Sequence, residues 1–495
     1  MIAASVKLLK WVGILLAAVL LTIVGVRAYD SQRGPPLRVW HKVVPNEMKA
    51  DAIDRLDWDG YLAAEERLFA EVRREVAEGL EPEDQIPANR YLAGGPLDPA
   101  GFATDWNRSF VLEPEGRPLG AAVLLHGLTD APYSQRHIAQ RYRERGYVAI
   151  GIRLPAHGTV PAALTRIDWE DWTAATRLAV REAERRVGPE RPIEIVGYSN
   201  GGALALQYAL DAIEDAGLRR PDRVILISPM IGVTALARFA GVVGWPAVFP
   251  AFAGAAWLSV VPEFNPFKYN SFPVNGARQS SLLSRALQHQ VVRLARANRL
   301  AELPPVLTFQ SVVDFTVSTP AVVSGLYAHL PPNGSELVVF DVNRDTKVGS
   351  LVRADVETAL GRLLPPPPRH FRTTSITNAS SETDAMVERV VEAGATSEQV
   401  TPLSLAYPRQ VFSLSHIALP FPVHDGLYGL EPDPNDDFGV NLGALAPRGE
   451  IGVLILPLDS LTRVSSNPFF PYLLRRIDQG LGGNPTASGS GNAPP

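Results

Sequence analysis

The residues best suited to catalysis form the pentapeptide Gly197-Tyr198-Ser199-Asn200-Gly201. It follows an apolar, β-branched run, Ile193 to Val196, and precedes a small-residue run typical of a helix, Gly202 to Ala216. Strand, sharp turn and helix in this order form a nucleophile elbow, which presents the central serine at the end of a sheet. The pattern predicts that Ser199 is a nucleophile, although a glycine-rich turn with a structural serine would have the same sequence.

A serine hydroxyl is a weak nucleophile near neutral pH, so Ser199 needs a base within hydrogen-bonding distance and a group that orients that base. With an elbow of this kind, the acid and then the histidine follow the serine along the chain. Asp314 ends the apolar run Val306 to Val313, which places its carboxylate at the same sheet edge as Ser199. Asp341, at the end of Leu337 to Phe340, is the alternative acid.

The general base is sought among the histidines that follow Asp314, which are His329, His370, His416 and His424. His329 lies within a helical pattern, and His370 is next to a run of prolines. His416 directly follows Val411 to Leu414, an apolar run that predicts a short strand ending near the elbow. We therefore expect His416 to be the base, with His424 as the alternative.

A second motif, His126-Gly127-Leu128, follows the apolar run Ala121 to Leu125. The backbone N–H of Leu128 is thus expected to donate to an oxyanion together with that of Asn200, at the helix start. His126 and His157 are expected to pack in loops rather than to act in catalysis. No set of histidines and carboxylates has the spacing of metal ligands, and neither a metal nor another cofactor is predicted.

These residues require a sheet whose strands end at one edge. Apolar runs predict its strands at Ala121–Leu125, Tyr147–Ile152, Ile193–Val196, Val224–Ile227, Val306–Val313 and Ile451–Leu456. Helical patterns alternate with most of these runs, for example after Ser134 and after Asp168. The alternation predicts an α/β fold: a mostly parallel sheet with helices on both faces.

Two segments interrupt the alternation. Residues 235–300 begin with large apolar residues and continue as an amphipathic helix, Ser284 to Leu300, which predicts a helical lid inserted over the C-terminal edge of the sheet. Residues 343–410 contain four consecutive prolines, Pro365 to Pro368, and a Ser/Thr-rich patch, Thr373 to Thr383. We interpret this second segment as an extended, partly mobile surface excursion before the catalytic histidine.

The N-terminus predicts a membrane segment. Lys7 and Lys10 precede Trp11 to Val26, an uninterrupted apolar run of 16 residues. Counted from Leu8 the stretch has 19 residues, which match a bilayer core at about 1.5 Å per residue if Lys10 reaches the surface. The lysines favour a cytoplasmic N-terminus, so residues 1–28 are expected to anchor a catalytic body on the periplasmic or extracellular side. Alternatively, Val26-Arg27-Ala28 is a cleavage site, residues 1–28 are a signal peptide and the protein is secreted.

The remaining boundaries follow from composition. Residues 29–110 are expected to be a linker and an N-terminal helical segment, 111–480 the α/β domain and 481–495 a disordered tail. Of the 495 residues, 46% are hydrophobic, enough for a large core. A net charge of −5 without a basic stripe argues against a nucleic-acid partner. The absence of cysteine excludes disulfides and a cysteine nucleophile.

From about Pro118 to Asp478 the chain resembles the α/β-hydrolase superfamily, and within it the bacterial esterases and monoacylglycerol-lipase-like enzymes. The similar motifs are His126-Gly127-Leu128, Leu154-Pro155-Ala156-His157-Gly158-Thr159-Val160-Pro161, Trp169-Glu170-Asp171-Trp172 and the Ser199 pentapeptide. The resemblance implies a Ser-Asp-His triad, a lid over the active site and cleavage of acyl esters. The interval from Asp314 to His416 is longer than is usual in that group.

The sequence therefore predicts a serine hydrolase that cleaves a small-molecule acyl ester through an acyl-enzyme, with Ser199, His416 and Asp314 as nucleophile, base and acid. An acyltransferase or a peptidase on the same fold is an alternative, because other nucleophiles can intercept an acyl-enzyme. A catalytically silent envelope protein that uses the fold for binding is another, because a fold alone does not determine a function.

Overall fold

The computed structural model describes residues 2–232, 250–314, 316–345, 359–380, 383–408, 411, 413–443 and 466–481. Its strands are β1 (Phe110–Leu112), β2 (Gly120–Leu125), β3 (Tyr147–Ile152), β4 (Ile193–Tyr198), β5 (Arg223–Ile227), β6 (Trp257–Ser259), β7 (Phe272–Pro273), β8 (Val306–Ser311), β9 (Glu336–Phe340), β10 (Arg372–Asn378), β11 (Met386–Val391) and β12 (Gln399–Leu403). Ten of them form one sheet in the order β1-β3-β2-β4-β5-β8-β9-β10-β11-β12, and β6 pairs with β7 separately.

The α-helices of the described residues alternate with these strands through the central part of the chain. They are α1 (Ile2–Arg33), α2 (Val39–Lys42), α3 (Ala50–Arg55), α4 (Trp58–Val72), α5 (Arg136–Glu144), α6 (Trp169–Val187), α7 (Asn200–Glu214), α8 (Val274–Arg296), α9 (Thr319–Gly325), α10 (Ala359–Leu363) and α11 (Phe470–Asp478). By length and composition, α1 is the one described helix that is apolar enough to cross a membrane.

The central strands β2, β3, β4, β5, β8, β9 and β10 run parallel, and their apolar side chains are covered on both faces. Alternation along a strand divides β2 between two cores. Val123 belongs to the core that contains Leu204 of α7, and Leu124 to the core that contains Ile138 of α5 and Leu473 of α11. The predicted fold, a mostly parallel sheet with helices on both faces, is confirmed.

The prediction that residues 343–410 form an extended surface segment is wrong. This segment contains β10, β11 and β12, which continue the sheet, β10 parallel to β9 and the last two antiparallel. Its polar residues are satisfied inside the structure: the Thr374 hydroxyl donates to Glu336 at 2.7 Å, and the Thr377 hydroxyl donates to Asp341 at 2.8 Å. Paired hydroxyls of this kind allow a Thr-rich stretch to form a buried strand.

The strand predicted at Val411–Leu414 is also absent from the described part of that stretch, residues 411, 413 and 414. Here the chain is held by the Asn343 side chain, whose amide donates to the Val411 carbonyl at 2.8 Å. The predicted strand Ile451–Leu456 and residues 482–495 of the predicted tail lie outside the described residues, as do residues 235–249 of the insertion. The insertion's helix, expected at Ser284–Leu300, is the longer α8.

The N-terminal segment packs on the body through a buried ion-pair cluster. Arg153, at the end of β3, is fully buried between Glu47 and Glu65, which lie 3.0 and 3.2 Å from its guanidinium. The Tyr61 hydroxyl donates to the Arg153 carbonyl at 2.6 Å. Residues that precede the sheet therefore complete its core.

Candidate active site

Ser199 stands at the turn between β4 and α7 with a φ of 55°, a left-handed conformation that is costly for a residue with a side chain. Two hydrogen bonds fix this backbone: its N–H donates to the Ile227 carbonyl at 2.9 Å, and its carbonyl accepts from the Met230 N–H at 2.9 Å. A Cβ at Gly197 would collide with the Gly201 carbonyl, and one at Gly201 with the Leu125 carbonyl. The backbone thus has the geometry of an elbow, and Gly197 and Gly201 are required because a side chain at either position would clash with the neighbouring backbone.

The loop that carries Leu128 lies against this elbow. A Cβ at Gly127 would stand 3.2 Å from that of Ser199. His126 is fully buried and fixes the loop: its Nδ1 lies 2.9 Å from the Gly127 carbonyl, and its Nε2 accepts from the Leu154 N–H at 3.0 Å. Burial, with the nearby His157, holds the pKa of His126 far below its usual value, so the ring is neutral and structural.

Asp314 and His416 form a hydrogen-bonded pair, with 2.9 Å between Asp314 Oδ2 and His416 Nδ1. The other carboxylate oxygen accepts from the backbone N–H groups of Thr316 and Val317 at 2.8 and 2.9 Å. Burial acts to raise the pKa of Asp314, but the charge and hydrogen bond of His416 and these N–H groups outweigh it, so the pKa lies below its usual value. The carboxylate is therefore ionised and can stabilise an imidazolium.

Tyr198, the residue before Ser199, connects His416 to the elbow. Its hydroxyl donates to the His416 carbonyl at 3.3 Å, and the two rings lie 5.3 Å apart. His416 is itself buried, at 7% exposure. Tyr198 was not among the residues predicted to have a role, although its position next to the serine is a signal that suggests one.

The alternative acid and base lie in other surroundings. Asp341 is paired at 2.9 Å with Arg344 and at 2.8 Å with the Thr377 hydroxyl. His424 is exposed, and its ring packs 5.7 Å from that of His137. The structure thus brings Asp314 to His416 and brings neither alternative to this pair.

The described part of the insertion reaches the elbow through α8. The Ser280 hydroxyl donates to the Asn200 side-chain oxygen at 2.9 Å, and the Ser284 hydroxyl donates to the Met230 carbonyl at 2.7 Å. A Cβ at Gly276, near the start of α8, would lie 3.9 Å from the Leu128 side chain. The insertion therefore contacts both segments that carry the expected oxyanion donors.

A buried carboxylate, Asp425, holds the segment that follows His416 to α5. It accepts from the Tyr133 hydroxyl at 2.8 Å, the Arg136 guanidinium at 2.9 Å and His137 Nε2 at 2.8 Å. Burial acts to raise its pKa, but the His137 hydrogen bond and the Arg136 charge outweigh it, and the pKa lies well below its usual value. The sequence offered no signal for this cluster, because Arg136 and Asp425 are 289 residues apart.

Residues 121–307 match the protein family described as the alpha/beta hydrolase fold. A thermostable monoacylglycerol lipase from Bacillus sp. (strain H-257) is 34% identical over 95 residues, which are 19% of this chain and 36% of the relative, about a third of its length. Among solved structures, one from the metagenome-derived lipolytic enzymes LipS and LipT is 20% identical with a TM-score of 0.39, covering 52% of this chain and 97% of its own. A monoglyceride lipase from Saccharomyces cerevisiae is 12% identical with a TM-score of 0.36, covering 47% and 81%.

Proposed function

We propose that this chain, which has the α/β-hydrolase fold, is a serine hydrolase that cleaves carboxylic acyl esters through an acyl-enzyme. The observation that carries the proposal is the 2.9 Å pair of Asp314 and His416, joined by Tyr198 to the elbow of Ser199. In this assignment Ser199 is the nucleophile, His416 the general base and Asp314 the acid that orients the imidazole.

The reaction proceeds in two halves. Because Nδ1 of His416 donates to Asp314, Nε2 is left to accept the Ser199 proton as the serine oxygen attacks the ester carbon. The carbonyl oxygen becomes an oxyanion that accepts from the backbone N–H groups of Leu128 and Asn200. Collapse breaks the ester C–O bond, and the alcohol leaves with the proton from His416. Water then attacks the acyl-enzyme by the same path and releases the carboxylic acid.

The proposed substrate is an ester with an apolar acyl group. Support comes from the relative named monoacylglycerol lipase and from the insertion, whose helix α8 contacts the elbow. An acyltransferase or a peptidase would use the same acyl-enzyme and differ in the nucleophile that resolves it. Product analysis distinguishes them: hydrolysis yields free acid in water, whereas a transferase yields a new ester or amide when an acceptor is added.

The proposed location is the membrane, with α1 as the anchor and the body on the periplasmic or extracellular side. Support comes from the apolar stretch Lys10–Tyr29, which the body leaves exposed. Alkaline carbonate extraction of membranes from expressing cells is expected to leave the full-length chain in the pellet. Release of a chain that starts near Tyr29 would instead show a cleaved signal peptide.

Substitution of the nucleophile tests the activity. Ser199→Ala is expected to abolish hydrolysis of a series of p-nitrophenyl esters, from short to long acyl chains, and to abolish labelling by a fluorophosphonate probe. Its unfolding transition should match that of the wild type, because the change removes one oxygen atom. A residual rate over water can remain from the oxyanion donors. Retention of more than roughly a tenth of the wild-type kcat would refute the assignment.

A further inference from the structure

The apolar helix α1 contacts the body at the insertion, through residues 250–256. Trp11, Ile14, Leu15, Val19 and Val26 of this helix are exposed, and no part of Lys10–Tyr29 is buried by the described residues. A contiguous apolar surface of this size is unfavourable in water and indicates contact with lipid or protein.

Arg27 marks the end of the apolar run and joins it to the insertion. Its guanidinium donates to the Trp257 carbonyl at 2.7 Å and approaches the Ala255 carbonyl at 3.5 Å. An arginine at the end of an apolar helix places its charged group in the headgroup region of a bilayer. With α1 in a bilayer, residues 255–257 therefore lie within one arginine side chain of the membrane surface.

The body surface beside this junction is also apolar. Leu258, next to Trp257, is 41% exposed, and Ile86 is 45% exposed. Ile86 lines a cavity of about 420 Å³ together with Trp40 and Val260. The same cavity is lined by Pro35 and Pro36, where the chain leaves α1. The cavity also has charged side chains in its wall, among them Arg38 and Glu83, but its apolar residues lie between the end of α1 and the insertion.

We propose that Leu258, Ile86 and this cavity form a membrane-docking surface that holds the insertion against the lipid bilayer, so that the chain takes its acyl ester from the membrane. We call it the junction surface. The inference rests on the proposed function, which makes the substrate an ester, and on the proposed anchor, which places α1 in the bilayer. The occupant is a bilayer rather than a protein, because the surface adjoins the end of the exposed apolar helix α1, whose proposed place is the bilayer.

The insertion connects the junction surface to the elbow of Ser199. Strand β6, which contains Trp257 and Leu258, pairs with β7, and β7 leads directly into α8. Ser280 of α8 donates to Asn200, the neighbour of Ser199. The same insertion therefore contacts the junction surface at one end and the elbow at the other.

Direct contact with lipid is tested by a single fluorescent label. The chain has no cysteine, so Leu258→Cys gives one attachment site for a nitrobenzoxadiazole probe. The full-length labelled protein in phosphatidylcholine/phosphatidylglycerol vesicles is expected to show a blue-shifted emission and quenching by lipid-attached quenchers. Val400→Cys is the matched control, because Val400 is 51% exposed on the edge strand β12. Equal emission from the two sites would overturn the proposal, whether or not the protein is an esterase.

The functional consequence is tested with two substrates. The double variant Ile86→Asp/Leu258→Asp, still carrying α1, is expected to hydrolyse a long-chain ester embedded in vesicles at least about tenfold more slowly than the wild type, since tenfold corresponds to ~1.4 kcal/mol and each buried side chain contributes more. Its rate on a soluble short-chain ester should stay within about twofold. Val400→Asp should match the wild type on both. An unchanged vesicle rate would refute the inference, whereas no activity of the wild type on either ester would refute the proposed function alone.

Discussion

The carboxylate of Asp314 differs from that of Asp341 in what it can do for an imidazole. One oxygen of Asp314 contacts His416, and the other accepts hydrogen bonds from backbone N–H groups. No arginine or lysine among these contacts competes with His416 for the negative charge. In Asp341, one carboxylate oxygen accepts hydrogen bonds from both Arg344 and Thr377. A carboxylate neutralised by arginine has less charge to offer an imidazolium.

Single substitutions of His416 and His424 test which histidine is the general base. His416→Ala is expected to lower kcat by on the order of 10³-fold or more, because in the proposed mechanism His416 accepts the Ser199 proton. His424→Ala removes an exposed ring that packs on His137 and should cost at most about 1 kcal/mol of stability. Steady-state kinetics on a soluble ester measures both. If His424→Ala were the inactive variant, the base would be His424 and the proposed pair with Asp314 would be incidental.

The segment after His416 is held in place by the charge and hydrogen bonds of Asp425 rather than by secondary structure. Residues 416–431 contain no helix or strand, and Asp425 holds them to α5 through Tyr133, Arg136 and His137. Backbone N–H groups of Leu427 and Tyr428 also donate to this carboxylate, at 3.0 and 2.7 Å. The position of His416 is therefore tied to an ionised group that takes no part in the reaction.

Asp425→Asn should lower the free energy of unfolding by about 1–3 kcal/mol at pH 7, because an amide cannot satisfy five donors, one of which is the cation Arg136. The pKa of Asp425 is lowered on folding, so this stabilisation is complete above the unfolded pKa near ~4 and is lost as the pH falls below it. The difference between wild type and variant in urea unfolding should therefore shrink below about pH 4. Asp433→Asn, at an exposed acid two residues beyond this segment, is the control and should show no such difference. A pH-independent difference would contradict the ionised state of Asp425.

The sequence was sufficient to predict the parallel strands, because Val, Ile and Leu runs such as Ile193–Val196 are buried on both faces and need no partner to be recognised. It was not sufficient for β10. The hydroxyls of Thr374 and Thr377 are paired with Glu336 of β9 and with Asp341, which directly follows β9, and that pairing is visible only in three dimensions. The elbow could be predicted because its glycines are local requirements. The Asp425 cluster could not, because its members come together only in the folded chain.

The residues that precede the sheet, including α4, are part of the stable body rather than a spacer. Glu65 of α4 is almost fully buried against Arg153, whereas the next residue, Glu66, is exposed and pairs with Arg108. Removing one carboxylate from a buried cluster leaves its cation less fully compensated. The two neighbouring glutamates thus offer a matched comparison of a buried and a surface pair.

Glu65→Ala is expected to lower the free energy of unfolding by about 3 kcal/mol, because Arg153 stays buried with Glu47 as its remaining carboxylate. Glu66→Ala should change it by less than about 0.5 kcal/mol. Denaturant unfolding followed by circular dichroism measures both. Equal effects of the two substitutions would show that the N-terminal segment is not docked through this cluster.

The separation of Asp314 and His416 by 102 residues has a consequence for synthesis. At about 5–20 residues per second, a ribosome needs roughly 5 to 20 s to pass from one to the other. During that time the nascent chain already contains the elbow, but the group proposed to activate its serine has not been made. Strands β10 to β12 must be synthesised before it, so the proposed ester cleavage can begin only late in synthesis. If α1 inserts into a membrane during synthesis, as proposed, this order keeps the nascent chain from attacking acyl esters before its body is complete.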